Sequence, residues 1–252
     1  MQPASVGFQC PECVRAGNAG VRAPRRGSAV RTAGRRFGPV TLGLIALNVA
    51  VALATAVSAV LVGVDPLTSF ASPLQNDFAV SPAAVDAGEW WRVATAAFTH
   101  VSPLHLGLNM LALLLFGSEL ERQLGRARYL TVYLVSALGG AVALQLFGAY
   151  FQGAVGASAA IYGLLGAFGV VLVQQRQDLR GLLTLLAINL AISFLPGISL
   201  LGHLGGLVAG FVATGLVVLA RRRTELQVLA LMVLTAGLVV VALTVPTLVV
   251  LG

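Results

Sequence analysis

Apolar residues in this chain gather into long runs separated by short polar stretches. Seven runs stand out, over residues 39–63, 103–118, 129–148, 157–173, 181–196, 203–220 and 226–250. A straight helical span needs about 20 residues, with a working range of about 17–25, so the first and last qualify at once. The middle runs are shorter and carry Gly and Pro, which membrane helices tolerate where neighbouring helices satisfy the backbone. The pattern predicts an all-α fold: a polytopic membrane helix bundle of seven spans.

Composition agrees with that solvent. The 252 residues are 58% hydrophobic and 10% charged, against about 25% charged in a soluble domain. Charge then orients the spans. All 16 basic residues are arginine, and seven of them (Arg15, Arg22, Arg25, Arg26, Arg31, Arg35 and Arg36) precede the first apolar run. Such a cluster is a topology signal and an attraction to anionic headgroups. No aromatic residue is interleaved to stack bases, so no nucleic-acid partner is expected. Arg122, Arg126 and Arg128 follow the second run, Arg176 and Arg180 the fourth, and Arg221, Arg222 and Arg223 the sixth. The gaps after runs three and five carry no charge, and that after run one holds Asp65, Asp77, Asp86 and Glu89 against Arg92. This alternation predicts a cytoplasmic N-terminus, an external C-terminus and, with one Arg-rich end, a bacterial inner membrane.

The stretch at 64–100 is the one large external feature, read as a loop partly embedded in the membrane rather than a separate domain. Its EWWR, 89–92, fits an interfacial aromatic belt. No internal repeat is visible, which weighs against the many transporter folds built from one. The first 36 residues lack an apolar core of the kind a cleavable signal needs. They hold CPEC, Cys10 and Cys13, half of the four-ligand set that tetrahedral zinc requires. The pair is therefore read as an inert remnant or as part of a zinc site whose other ligands lie upstream of this sequence, and no metal or cofactor is expected for the chemistry.

The polar residues inside the runs carry more information. Under the predicted topology, spans two, four and six all enter from the outer face, with HVSPLHLGLNM, GASAAIYG and GHLGGLVAG respectively. His105 and Asn109 are four apart and share a helical face, as do Ser158 and Tyr162. Gly166 and Gly169 continue the Ser158 face, and Gly206, Gly210 and Thr214 continue that of His203. Small residues every four positions let membrane helices approach closely. Packing span six on span four by these faces brings His203 within hydrogen-bond reach of Ser158, the separation of about 2.6–3.2 Å that a nucleophile and its base need. Taken singly, a membrane serine bonds its own backbone, whereas an intramembrane histidine is costly enough to point to function. No carboxylate lies near His203, so a dyad is expected.

The set WWR, H-x4-H-x3-N, GASA, Y and GHLGG resembles the rhomboid family of intramembrane serine proteases. The resemblance covers residues 38–221 and six spans, leaving a seventh beyond it. It implies that Ser158 is the nucleophile and His203 the general base. Asn109 and His105, with the Ser158 backbone N–H, would stabilise the oxyanion, and Tyr162 would pack on and orient His203. Trp91, Arg92, Glu121 and His100 would be structural. Ala159 stands where the family's GxSG has its second glycine. The organisation expected is a cytoplasmic Arg-rich segment with the CxxC remnant over 1–37, a protease core over 38–221 and an additional transmembrane helix over 222–252. The expected function is endoproteolysis of single-pass transmembrane substrates near the outer face. The rival readings are an inactive rhomboid-like protein that binds transmembrane helices and, further off, a proton-coupled transporter relaying through His105 and His203. Lipid bilayer and transmembrane protein substrates are the expected partners.

Overall fold

The structure, a computed structural model, describes residues 2–3, 8–18, 29–195 and 197–244. Arg22, Arg25, Arg26 and residues 245–250 of the last predicted run lie outside them. The chain is an integral membrane protein whose apolar runs form α1 (Pro39–Leu61), α2 (Pro103–Leu124), α3 (Arg126–Phe147), α4 (Ser158–Gln174), α5 (Arg180–Ile192), α6 (Leu200–Leu219) and α7 (Thr224–Thr244). Five of these are long and apolar enough to cross a membrane alone. The other two are shorter: α4 has 17 residues and α5 has 13. At 1.5 Å per residue α5 is about 20 Å long, less than a bilayer core of about 30 Å. The second run extends further than the apolar pattern indicated, because SELERQL continues the helix to Leu124. Before the bundle, a small hairpin pairs Gln2–Pro3 with Phe8–Gln9, and exposed Cys10 and Cys13 lie at the start of a short helix, Pro11–Asn18.

The inner layer is α3, α4 and α6. Helix α6 lies between the other two because it carries small residues on two sides. A Cβ on Gly206 would sit 2.0 Å from the Ala159 carbonyl oxygen, and one on Gly210 2.2 Å from that of Gly163. On the other side a Cβ on Gly205 would sit 2.4 Å from the Gly139 oxygen. These backbones are in van der Waals contact, the approach that small residues permit in a membrane, where dispersion replaces the hydrophobic effect as the cohesive force. Ala159 belongs to the same fit. A Cβ on Gly140 of α3 would fall 2.6 Å from the Ala159 methyl, so that methyl occupies the space Gly140 leaves.

Polar side chains hold the ends. Glu121, buried near the end of α2, accepts hydrogen bonds from the Val40 N–H at 3.1 Å, the Thr41 N–H at 2.8 Å and the Thr41 hydroxyl at 2.9 Å. It thereby satisfies the orphan donors of α1 and places negative charge at that helix's positive pole. The fit needs glycine before it: Gly38 has φ +81° and a Cβ there would meet the carboxylate at 2.2 Å. Helix α7 is latched by Gln227, which is buried. Its amide donates to the Val217 and Ala220 carbonyls at the end of α6 and accepts from Arg128 Nε of α3 at 2.9 Å.

The 64–102 segment folds onto the bundle through three Ser-Pro pairs. Ser72, Ser81 and Ser102 each cap a helix by accepting from the N–H three residues on, at 3.1, 3.2 and 3.3 Å, with proline at the first helical position, where its missing N–H costs nothing. Arg92 ties the loop together by donating to the Ala79 carbonyl at 3.0 Å, to the Asn76 carbonyl and to Glu89. Trp91 Nε1 donates to the Asp77 carbonyl at 3.2 Å. The Arg-Trp pair thus ties the loop together.

Gly206→Ala is expected to lower stability by about 1–3 kcal/mol, the cost of overpacking a tight contact, read as a fall in the melting temperature in detergent. Gly215→Ala shares the gain in helix propensity but meets no atom within 4 Å, and should leave that temperature unchanged or raise it.

Candidate active site

The segment leading into α4 sets the position of Ser158. Val80 and Ala154 exchange backbone hydrogen bonds of 3.1 and 2.8 Å, and the Gly156 N–H donates to the Ala96 carbonyl at 2.8 Å. The loop clasped by Arg92 therefore fixes the turn before the helix. Gly156 takes φ +128°, open to glycine and unfavourable to other residues. Ala157 is the N-cap and Ser158 the first helical residue, so the Ser158 N–H is among those that an α-helix leaves without an intrahelical partner.

Close packing of α4 on α6 then brings the serine to a histidine. Ser158 Oγ and His203 Nε2 are 2.9 Å apart. Tyr162, one turn below Ser158, stacks on the imidazole with 4.1 Å between ring centres and 10° between planes. His203 is 7% exposed, which removes it from bulk water while leaving its Nε2 edge on Ser158.

His105 reaches the same place from α2. A Cβ on Gly156 would lie 3.0 Å from His105 Nε2 and 3.5 Å from Ser158 Oγ, so the imidazole and the hydroxyl border one space over the glycine. Asn109 is buried and its side-chain N–H donates to the His105 carbonyl at 2.8 Å. An amide nitrogen carries two N–H groups, which leaves one uncommitted. His100 is fully buried in the loop before α2 and meets the His105 ring edge-on at 5.1 Å between centres. Burial, reinforced by the neighbouring His105, pushes His100 down to about 3, so it packs there as a neutral ring.

The structure thus brings together Ser158, His203, Tyr162 and His105, with Asn109 one turn behind His105. It adds a residue that the sequence reading did not single out. Ser193, the C-cap of α5, is 2% exposed, and its Oγ lies 2.7 Å from His203 Nδ1, 2.8 Å from the Tyr162 hydroxyl and 2.9 Å from the Asn189 carbonyl. The sequence pattern grouped only the starts of runs two, four and six. The end of the fifth run meets them at the same end of the bundle, and Asn189 and Ser193, four apart there, were the available signal.

The arginine-bearing helix ends lie at the far end of the bundle, where Gln175 of α4 meets Gln123 of α2 at 3.0 Å. A separate groove of about 300 Å³ is lined by Trp90, Trp91, Phe98, Leu138, Thr235 and Leu243, among others. It holds no titratable side chain and is no candidate for the chemistry.

The family model for the Rhomboid domain matches residues 87–221, more than half of the chain. YdcA of Bacillus subtilis is 37% identical over 143 residues, which cover 54% of this chain and 71% of that protein. Rhomboid protease GluP of the same organism is 39% identical over 132 residues, 50% of this chain and 26% of that protein. RHOMBOID-like protein 6, mitochondrial, of Arabidopsis thaliana is 40% identical over 134 residues, 50% of this chain and 43% of that protein. The match with GluP thus spans about a quarter of that protein's length, and that with the Arabidopsis protein less than half. With its helical bundle, its polar cluster and these matches in hand, the chain belongs to the rhomboid family of intramembrane serine proteases.

Proposed function

We propose that the chain is an intramembrane serine endopeptidase that cleaves single-pass transmembrane proteins near the outer membrane face. The observation that carries this reading is the 2.9 Å contact between Ser158 Oγ and His203 Nε2 at one end of a membrane bundle. In the reaction, Ser158 Oγ attacks the scissile carbonyl carbon and its proton passes to His203 Nε2. The developing oxyanion lies over Gly156, where the Ser158 N–H, the His105 imidazole and the free Asn109 N–H donate to it. The carbon–nitrogen bond then breaks, and His203 returns the proton to the leaving amine. Water, deprotonated by the same imidazole, releases the acyl group and restores the serine. Tyr162 holds the ring in plane throughout by stacking.

Residues 38–221 are the catalytic core in this reading, 222–252 the segment that carries the additional helix α7, docked through Gln227, and 1–37 a cytoplasmic segment carrying the CxxC pair. The arginine-rich ends, opposite the site, face the cytoplasm by the bias of basic residues to that side. The N-terminus is then inside, the C-terminus outside, and the membrane a bacterial inner membrane. Partners are the bilayer and transmembrane helices that unwind easily near its surface.

A fluorophosphonate probe is expected to label the detergent-solubilised protein and to leave Ser158→Ala unlabelled, with His203→Ala at least about 100-fold slower, the scale of general-base catalysis. Equal labelling of wild type and Ser158→Ala overturns the reading. Binding of a transmembrane reporter in proteoliposomes without hydrolysis favours the inactive helix-binding alternative.

Gly156→Ala puts a methyl 2.8 Å from His105 Cε1 at a positive φ. It is expected to cut hydrolysis of that reporter by about 10²–10³-fold, the worth of one oxyanion donor, with the melting temperature measured alongside.

A further inference from the structure

The hydroxyl of Ser193 has three partners, and their chemistry fixes which atom donates in each contact. A serine hydroxyl carries one proton and two lone pairs. The Asn189 carbonyl at 2.9 Å cannot donate, so the Ser193 proton goes to it, the i−4 back-bond that serine makes in membrane helices. The other two contacts must then donate to Ser193. Tyr162 gives its phenolic proton across 2.8 Å, and His203 gives the proton on Nδ1 across 2.7 Å. With its proton on Nδ1, the neutral imidazole presents a bare lone pair at Nε2, 2.9 Å from Ser158 Oγ. That is the tautomer a general base needs.

We propose that Ser193 is a positioning residue that selects the Nδ1–H tautomer of His203. The inference rests on the catalytic reading of Ser158 and His203 but concerns a different atom and a different helix. It answers how an imidazole with no carboxylate partner keeps one tautomer. Stacking by Tyr162 fixes the plane of the ring and leaves open which nitrogen holds the proton; Ser193 decides it. When His203 takes the Ser158 proton, the imidazolium has an N–H on each side. Nδ1–H still meets the Ser193 oxygen, whose own proton stays directed at the Asn189 carbonyl. No proton leaves Ser193, so it acts by accepting and holding, not by relaying. The placement also joins α5 to the site: that helix buries no side chain along Arg180–Ile192, whereas its C-cap Ser193 is buried between Tyr162 and His203.

The test is ring ¹⁵N NMR of the full chain in lipid nanodiscs, with histidine labelled; the chain has three histidines, and the His203 signals are assigned by their loss in His203→Ala. Wild type is expected to show protonated Nδ1 and bare Nε2 in the neutral ring. Ser193→Ala should convert the signals to a mixture of tautomers and slow fluorophosphonate labelling about ten-fold, the worth of one neutral hydrogen bond. Ser193→Thr, which keeps the hydroxyl, should restore both. Tyr162→Phe removes one donor and leaves the Ser193 acceptor, so the Nδ1–H tautomer should survive in it even where Ser193 variants fold poorly. The proposal is overturned if Ser193→Ala keeps the wild-type tautomer, or if Tyr162→Phe loses it while Ser193 is intact. A wild type that carries the Nδ1–H tautomer yet never labels would overturn the protease reading and leave the tautomer assignment standing.

Discussion

The architecture depends on one constraint, the near-contact of the α4 and α6 backbones. Lipid offers helices no hydrophobic gain from meeting each other, so their attraction comes from dispersion and interhelical hydrogen bonds. Both strengthen as the axes close. Glycine at 206 and 210 removes the side chains that would hold the axes apart, and the Ala159 and Gly163 carbonyls occupy the freed space. Ser158 stands one residue before Ala159, and His203 one turn before Gly206. The same contact that binds the two helices therefore sets the distance between hydroxyl and imidazole.

Depth and orientation come from elsewhere. The Arg92 clasp orders the 64–102 loop, that loop hydrogen-bonds Gly156, and Gly156 gives α4 its start at Ser158. Glu121 at the other end of the bundle fixes α1 against α2. On the Nδ1 side of His203 the imidazole, the Tyr162 phenol, the Ser193 hydroxyl and the Asn189 carbonyl close on one another without a full charge. This suits a low-dielectric interior, where an unpaired polar group is expensive. A carboxylate partner for His203 would carry a charge that the surrounding lipid and apolar side chains stabilise poorly. Ser193 supplies an acceptor with none.

Much of this was legible in the sequence because membrane helices leave strong signals. Apolar length located the seven helices, and helical spacing, four residues from Ser158 to Tyr162 and three from His203 to Gly206, placed each pair on one face. What the pattern missed has physical causes. Run length overstated α5 because apolar loop residues beyond Ile192 read like helix, and it understated α2 because SELERQL is polar yet keeps the helix to deliver Glu121. Ser193 escaped because it stands at the end of its run, whereas Ser158 and His203 stand at the starts of theirs. The fit of Ala159 into Gly140 lay beyond reach, since it joins two helices whose register no periodicity encodes. Asn109 was legible as a polar neighbour of His105, whereas its bond to the His105 carbonyl required coordinates.

The most direct measurement is a solid-state NMR dipolar recoupling between ¹³Cβ of Ser158 and ¹⁵Nε2 of His203 in lipid bilayers, isolated by difference against Ser158→Ala. A Ser158 Oγ–Nε2 separation of 2.9 Å requires strong dephasing of the Ser158 signal. Its absence in the folded, membrane-inserted protein would contradict the close approach of α4 and α6, and with it the site built on that approach.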